Sequence, residues 1–146
     1  MAKPKFMYLV VEDDDDHAAL IQRNLRKTSP DSLVSRVRDG EEALQFLRRQ
    51  SPYEDSPRPD LILLDMKLPG VNGLQVLENI KADDDLCSIP VVMLTTSATR
   101  DDRQKAYRLH ANSYLVKPMG FDGFRSLVGE ICHYWGDVNT PVTDAS

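Results

Sequence analysis

The sequence predicts an α/β domain built on a doubly wound, five-stranded parallel sheet with helices on both faces. Three observations predict it. Five short apolar runs recur along the chain, at 6–11, 33–37, 61–64, 91–94 and 114–116. Three of the runs are nearly unbroken apolar, as in strands covered on both faces, whereas a half-wet strand alternates with period two. Between the runs lie stretches of helical apolar spacing, so strand and helix alternate five times, the pattern of βα units.

The elements follow in order. The first run ends abruptly on "EDDDD", the five acids Glu12 to Asp16. A helix is expected over 17–27, with Leu20, Ile21 and Leu25 on one stripe beside Ala18 and Ala19. Asp14, Asp15 and Asp16 suit its start, because negative charge favours the positive end of a helix dipole and one acid can cap the free N–H groups. After the second strand, Asp39-Gly-Glu-Glu42 has the form of a capping box and leads into Ala43, Leu44, Phe46 and Leu47. "SPYEDSPRP", residues 51–59, is a proline-rich loop before the third strand. The next helix carries Leu74, Leu77 and Ile80. The fourth strand is followed by a helix over 99–110 with Ala106, Tyr107 and Leu109. The last helix is expected over 121–135, with Phe124, Leu127, Val128, Ile131 and Trp135 on its apolar face. The domain is therefore expected over 5–135, and 136–146 as a largely unstructured tail without a separate output domain.

With 146 residues, 41% of them apolar and 28% charged, the chain reads as one globular domain. A chain near ~150 residues buries about 68–70% of its unfolded surface, enough for a core without staples. The net charge of -5 argues against non-specific binding to nucleic acid or to anionic membrane. The two cysteines, Cys87 and Cys132, form no CxxC pattern and suit a reducing compartment. No run approaches the ~18–20 apolar residues of a membrane span. The N-terminus has too few apolar residues before its acids for a signal peptide, which needs roughly 7–15. A cytoplasmic protein is expected.

Each of four strands ends in a chemically capable residue: Glu12-Asp13, Asp65, Thr95-Thr96 and Lys117-Pro118. Open α/β sheets bind ligands outside the carboxyl ends of their strands, where strand order reverses. Three clustered carboxylates, Glu12, Asp13 and Asp65, repel one another, and a hard divalent cation relieves the repulsion. Magnesium keeps waters and pairs with phosphate, while Lys117 and Thr95 supply a cation and a hydroxyl suited to phosphoryl oxygens. A carboxylate in such a place can also act as a nucleophile and form an acyl phosphate.

These motifs resemble those of the receiver domain of two-component response regulators, over most of the chain. "LVVEDD" resembles the family's acidic pair, "LILLDMKLPGVNG" its phosphoacceptor loop, "PVVMLTTSA" its switch threonine, and "SYLVKP" its aromatic, lysine and proline. The resemblance implies a flavodoxin-like strand order, 2-1-3-4-5. It implies that Asp65 is the phosphoacceptor and that Asp13, Asp65 and the Lys67 main-chain carbonyl bind Mg2+, with Glu12 acting through a water and Mn2+ or Ca2+ able to substitute. It further implies that Thr95 closes onto the phosphoryl group, Lys117 pairs with it, and Thr96 holds the small position beside them. Tyr114 would be the switch aromatic, and the Lys117–Pro118 bond would be cis. "ANSYLVKPMGFDGF" and "HYWGDVNTP" are similar to the small receivers that partner bacterial phytochromes. That likeness implies a sensor histidine kinase of phytochrome type as partner and a homodimer through the C-terminal helix region.

Rival readings fit less well. An EF-hand loop starting at Asp13 or Asp14 would lack its central glycine. A P-loop needs GxxxxGK[ST], which is absent. A flavodoxin-like flavin binder would put phosphate against five acids. The enzymatic alternative, an aspartate-nucleophile phosphatase of haloacid-dehalogenase type, needs a second acid two residues after the first, where Asp65-Met-Lys has Lys67. The three histidines, His17, His110 and His133, form no evident ligand set.

Overall fold

A computed structural model describes residues 5–141. Five strands, β1 (Met7–Val11), β2 (Leu33–Val37), β3 (Leu61–Leu64), β4 (Val91–Thr95) and β5 (Ser113–Val116), form one parallel sheet in the order 2-1-3-4-5. Five helices alternate with them: α1 (Asp15–Thr28), α2 (Gly40–Leu47), α3 (Gly73–Ala82), α4 (Arg100–Arg108) and α5 (Phe121–Ile131). The central strands β1, β3 and β4 are buried throughout, which explains their unbroken apolar runs, whereas the edge strands β2 and β5 are partly exposed.

Side-chain alternation along the strands splits the core in two. Leu9, Val11, Ile62, Leu64 and Met93 face α2, α3 and α4, meeting Phe46, Val76, Leu77 and Ile80. Tyr8, Val10, Leu61, Leu63 and Leu94 face α1 and α5, meeting Ile21, Leu25, Phe124 and Val128. Burying a Leu, Ile or Phe side chain contributes about 1.5–3 kcal/mol. The apolar layers on both faces together hold the sheet between its helices.

The caps set where helices start. Asp14 is the N-cap of α1, its carboxylate accepting from the N–H groups of Asp16 and His17 at 2.9 and 3.1 Å. Asp39 caps α2 by accepting from Glu42 N–H at 2.7 Å. The return bond of that expected box shifts by one residue, since Glu42 accepts from Arg38 N–H at 2.7 Å. A full capping box closes α3 instead, between Asn72 and Gln75.

Three expectations are corrected. Lys117–Pro118 is trans; among the described residues the cis bond is Ser51–Pro52. The trans form is favoured by about 0.5–1 kcal/mol at X–Pro bonds, and the lysine reaches its partners from it. Tyr107 lies on the outer face of α4, 52% exposed, because Ala106 alone on that helix fits fully against the sheet. The chain does not leave helix at Trp135: a π-helical segment, Cys132–Val138, continues α5. Cys132 and Trp135 pack on the α1/α5 side of the core, and this contact carries the helix past residue 135. The expected tail is therefore helical at its beginning, and 142–146 lie outside the described residues.

Candidate functional site

The strand order reverses at β1, which lies between β2 and β3, so the crevice opens at the carboxyl ends of β1 and β3. Register delivers the acids there together. Val11 pairs with Leu64, and Asp65 N–H donates to Val11 O at 3.1 Å, placing Asp65 beside Glu12. Carboxylate oxygens of Glu12, Asp13 and Asp65 all lie within 4.8 Å of one another. Glu12 and Asp65 are buried, whereas Asp13 faces solvent and, among the described residues, pairs with no cation.

Lys117 arrives from the end of β5, where its N–H donates to Thr95 O at 2.7 Å. Its ammonium is buried, 6% exposed as a residue, and donates to Glu12 Oε1, to Asp65 Oδ2 at 3.0 Å and to His17 Nδ1 at 3.1 Å. Burial pushes the Glu12 carboxyl up to about 7, with the nearby Asp65 charge adding to the rise and the Lys117 ammonium opposing it. One buried cation therefore serves two buried carboxylates, leaving a net negative pocket with Asp13 at its mouth. That donor set fits a hard, oxygen-seeking divalent cation. Lys67 follows on the β3–α3 loop, its N–H donating to Asp65 Oδ1 at 3.3 Å. Its main-chain oxygen accepts no hydrogen bond among the described residues, so this carbonyl is available as a ligand.

Thr95, at the end of β4, is fully buried and accepts from Ser97 N–H at 3.3 Å. Tyr114 is turned inward from β5, its hydroxyl donating to Ser97 O at 2.8 Å and lying 3.3 Å from Met66 Sδ. Ser97 thus bridges the two side chains through its own backbone, and its hydroxyl donates to Asp102 on α4. Thr96 points to solvent beside them, and Pro118 is partly buried below Lys117. The Gly123 position against Pro118 is tight: a Cβ there would lie 2.7 Å from the proline ring.

Of the nine expected site residues, Glu12, Asp13, Asp65, Lys67, Thr95, Thr96, Lys117 and Pro118 lie on the loops at this edge or at the strand ends that feed it. Tyr114, within β5, reaches Ser97 on the same side through its hydroxyl. Three further contacts were not foreseen. His17 enters the pocket from the first turn of α1, one helical turn after Asp13; that spacing was the only local signal for it. Arg36 on β2 donates through Nε to Glu12 O at 2.9 Å and pairs with Asp15 at 3.0 Å, pinning the β1–α1 loop. Ser97 joins the threonine to the tyrosine, as above. Neither Arg36 nor Ser97 carries a local sequence signal, because both act across strands.

A family model for the response regulator receiver domain matches residues 8–128. The chain is 43% identical over 136 residues to the probable methanogenesis regulatory protein FilR2 of Methanothrix harundinacea, covering 92% of this chain and 86% of that protein. It is 42% identical over 134 residues to response regulator Rcp1 of Synechocystis sp., covering 92% and 91%. The crystal structure of the Mn(2+)-bound form of Rcp1 superimposes with a TM-score of 0.89 over 96% of this chain and all of that one, at 41% identity. That of the phosphorylated cyanobacterial phytochrome response regulator RcpA does so with a TM-score of 0.92 and 38% identity, over 96% of this chain and 100% of that one.

Proposed function

The chain belongs to the response regulator receiver domain family, and from that premise we propose that it is a single-domain phosphoacceptor of two-component signalling. The observation that carries the reading is Asp65: buried at the switch-point crevice, within 4.8 Å of two further carboxylates and 3.0 Å from a buried lysine. In this reading one Asp65 oxygen attacks the phosphorus of a phosphohistidine on a sensor kinase. The O–P bond forms as the N–P bond breaks, and the freed imidazole leaves with the kinase.

Asp13, Asp65 and the Lys67 main-chain carbonyl would hold Mg2+ directly, with Glu12 reaching it through water; Mn2+ or Ca2+ would take the same place. When bound, the metal neutralises charge on the phosphoryl oxygens. The Lys117 ammonium supplies the second positive charge, and the Thr95 hydroxyl a hydrogen bond to a phosphoryl oxygen. Drawing Thr95 toward the new group breaks its bond from Ser97 N–H, and Tyr114, held by Ser97 O, responds. Thr96 leaves the approach open, and Pro118 fixes the turn after Lys117.

The likeness to RcpA favours a phytochrome-type histidine kinase as donor. Output passes through protein contacts of a receiver domain over 5–135, a span that the near-complete mutual coverage with Rcp1 and RcpA supports. No helix among the described residues is long and apolar enough to cross a membrane. The net charge of -5 speaks against nucleic acid and anionic membrane as partners, and a histidine-kinase donor would place the protein in the cytoplasm. The phosphatase alternative loses its ground, since Lys67 stands where that chemistry needs an acid.

The test is incubation with Mg2+ and acetyl phosphate, followed by intact-mass spectrometry of wild type and Asp65→Asn. The wild type is expected to gain the mass of one phosphoryl group and the variant none. Equal modification of both, or of neither, refutes the assignment.

A further inference from the structure

We propose that His17 is a positioning residue for this phosphotransfer: its Nδ1 is the third acceptor of the Lys117 ammonium and holds Nζ over Asp65. The inference rests on the receiver reading above and assigns to this chain a group that the reading does not use.

The argument begins with the lysine. An ammonium has three N–H donors and no acceptor capacity, and in a buried site each donor left without a partner is costly. Glu12 Oε1, Asp65 Oδ2 and His17 Nδ1 account for all three. Because Nζ has no lone pair to offer, Nδ1 at 3.1 Å must be the accepting nitrogen, and the ring proton then sits on Nε2. The tautomer follows from the geometry.

His17 is held where it can do this. Its backbone N–H is caught by the Asp14 carboxylate at 3.1 Å, which fixes the first turn of α1. Phe124 of α5 lies beside the ring, with centroids 5.8 Å apart, and limits its rotation. The Asp14 carboxylate also approaches Nδ1, at 4.0 Å, but the ammonium is closer.

The functional point lies in which acceptors the reaction consumes. Asp65 becomes the phosphorylated group and Glu12 is drawn toward the metal through water, so neither stays a fixed partner of the lysine through the reaction. His17 is the one acceptor of the three that takes no other part. It tethers Nζ on the α1 side while the other two contacts exchange, and the lysine meets the incoming phosphoryl oxygens without a search.

The experiment compares wild type, His17→Phe and His17→Asn. The phenylalanine keeps the ring's bulk against Phe124 without an acceptor, and the asparagine restores an acceptor near the Nδ1 position. Phosphorylation by acetyl phosphate is followed by mass spectrometry, Mg2+ affinity by calorimetry, and the wild-type ring nitrogens by long-range 1H–15N spectroscopy. The spectrum is expected to show a bare Nδ1 and a protonated Nε2. His17→Phe should slow phosphorylation about tenfold or more, as loss of a hydrogen bond to a charged group implies. His17→Asn should return to within about threefold of wild type, and Mg2+ affinity should stay within about twofold in both.

A proton on Nδ1, a phenylalanine variant as fast as wild type, or an asparagine variant as slow as the phenylalanine one overturns the role of His17. A parallel loss of Mg2+ affinity overturns it too, by moving the effect to the metal site. Failure of the wild type itself to accept a phosphoryl group refutes the Asp65 assignment instead, so the two readings fail separately.

Discussion

Glu12 shows how a single residue is shaped by its surroundings. Burial pushes its carboxyl up to about 7, so near neutral pH a substantial fraction of the metal-free protein carries a proton there. A cation at this site favours the ionised form, and binding therefore releases a proton. Apparent Mg2+ affinity is expected to fall as pH drops from 8 to 6, with proton release largest near pH 7; calorimetry in buffers of different ionisation enthalpy measures both. The stability sign is opposite. Because the folded value lies above the ordinary 4.5, this group's contribution to the metal-free fold is fully present below 4.5 and lost as pH rises through 7. Thermal melts without metal should show that loss, and added Mg2+ should reverse it.

At the scale of elements, the β3–α3 connection carries the site because it is packed without slack. Gly73, the first residue of α3, donates its N–H to Met66 O at 2.9 Å, and a Cβ there would lie 2.1 Å from the Asp65 main-chain oxygen. Gly73→Ala must push the helix start away from the strand end that holds Asp65. Overpacking of this kind costs about 1–3 kcal/mol, and the displaced carboxylate should also accept phosphoryl groups more slowly. A melting curve together with the acetyl phosphate rate checks both effects. Loss of stability with an unchanged rate would show that Asp65 keeps its place. The start of α1 is weaker by comparison, since its cap is one exposed acid: Asp14→Ala is expected to cost about 1 kcal/mol, read as a fall in Tm of about 2–4 °C.

Across the whole molecule, the two faces of the sheet divide the labour. The α2, α3 and α4 side supplies the larger apolar cluster, while α1 and α5 flank the crevice and continue into the π-helical segment. Tyr134 and Val138 on that segment stay exposed, at 49% and 56%, beside the half-buried Trp135. These side chains suit the homodimer through the C-terminal helix region that the likeness to phytochrome-partner receivers implies. Sedimentation velocity should give a dimer for the wild type and a shift toward monomer for Tyr134→Glu, with and without acetyl phosphate. A monomer throughout would overturn that expectation.

The sequence by itself determined the local layer of this protein. Unbroken apolar runs such as Leu61–Leu64 marked the covered strands, because burial on both faces leaves no position for a polar residue. Leu33–Val37 was as legible as a strand, yet nothing in it foretold an edge position with Leu33 42% exposed. The strand-end residues Glu12, Asp65, Thr95 and Lys117 could be read because each follows its own run directly. Tyr107 and the end of α5 could not be read, because helical spacing does not say how closely a neighbouring surface lies. The tertiary structure alone decided that Lys117 meets Glu12, 105 residues away, that His17 completes its coordination, and that Arg36 and Ser97 tie the loops together. Periodicity is a property of neighbours in sequence. These contacts exist only once parallel pairing in the order 2-1-3-4-5 brings the carboxyl ends of separate strands to one edge.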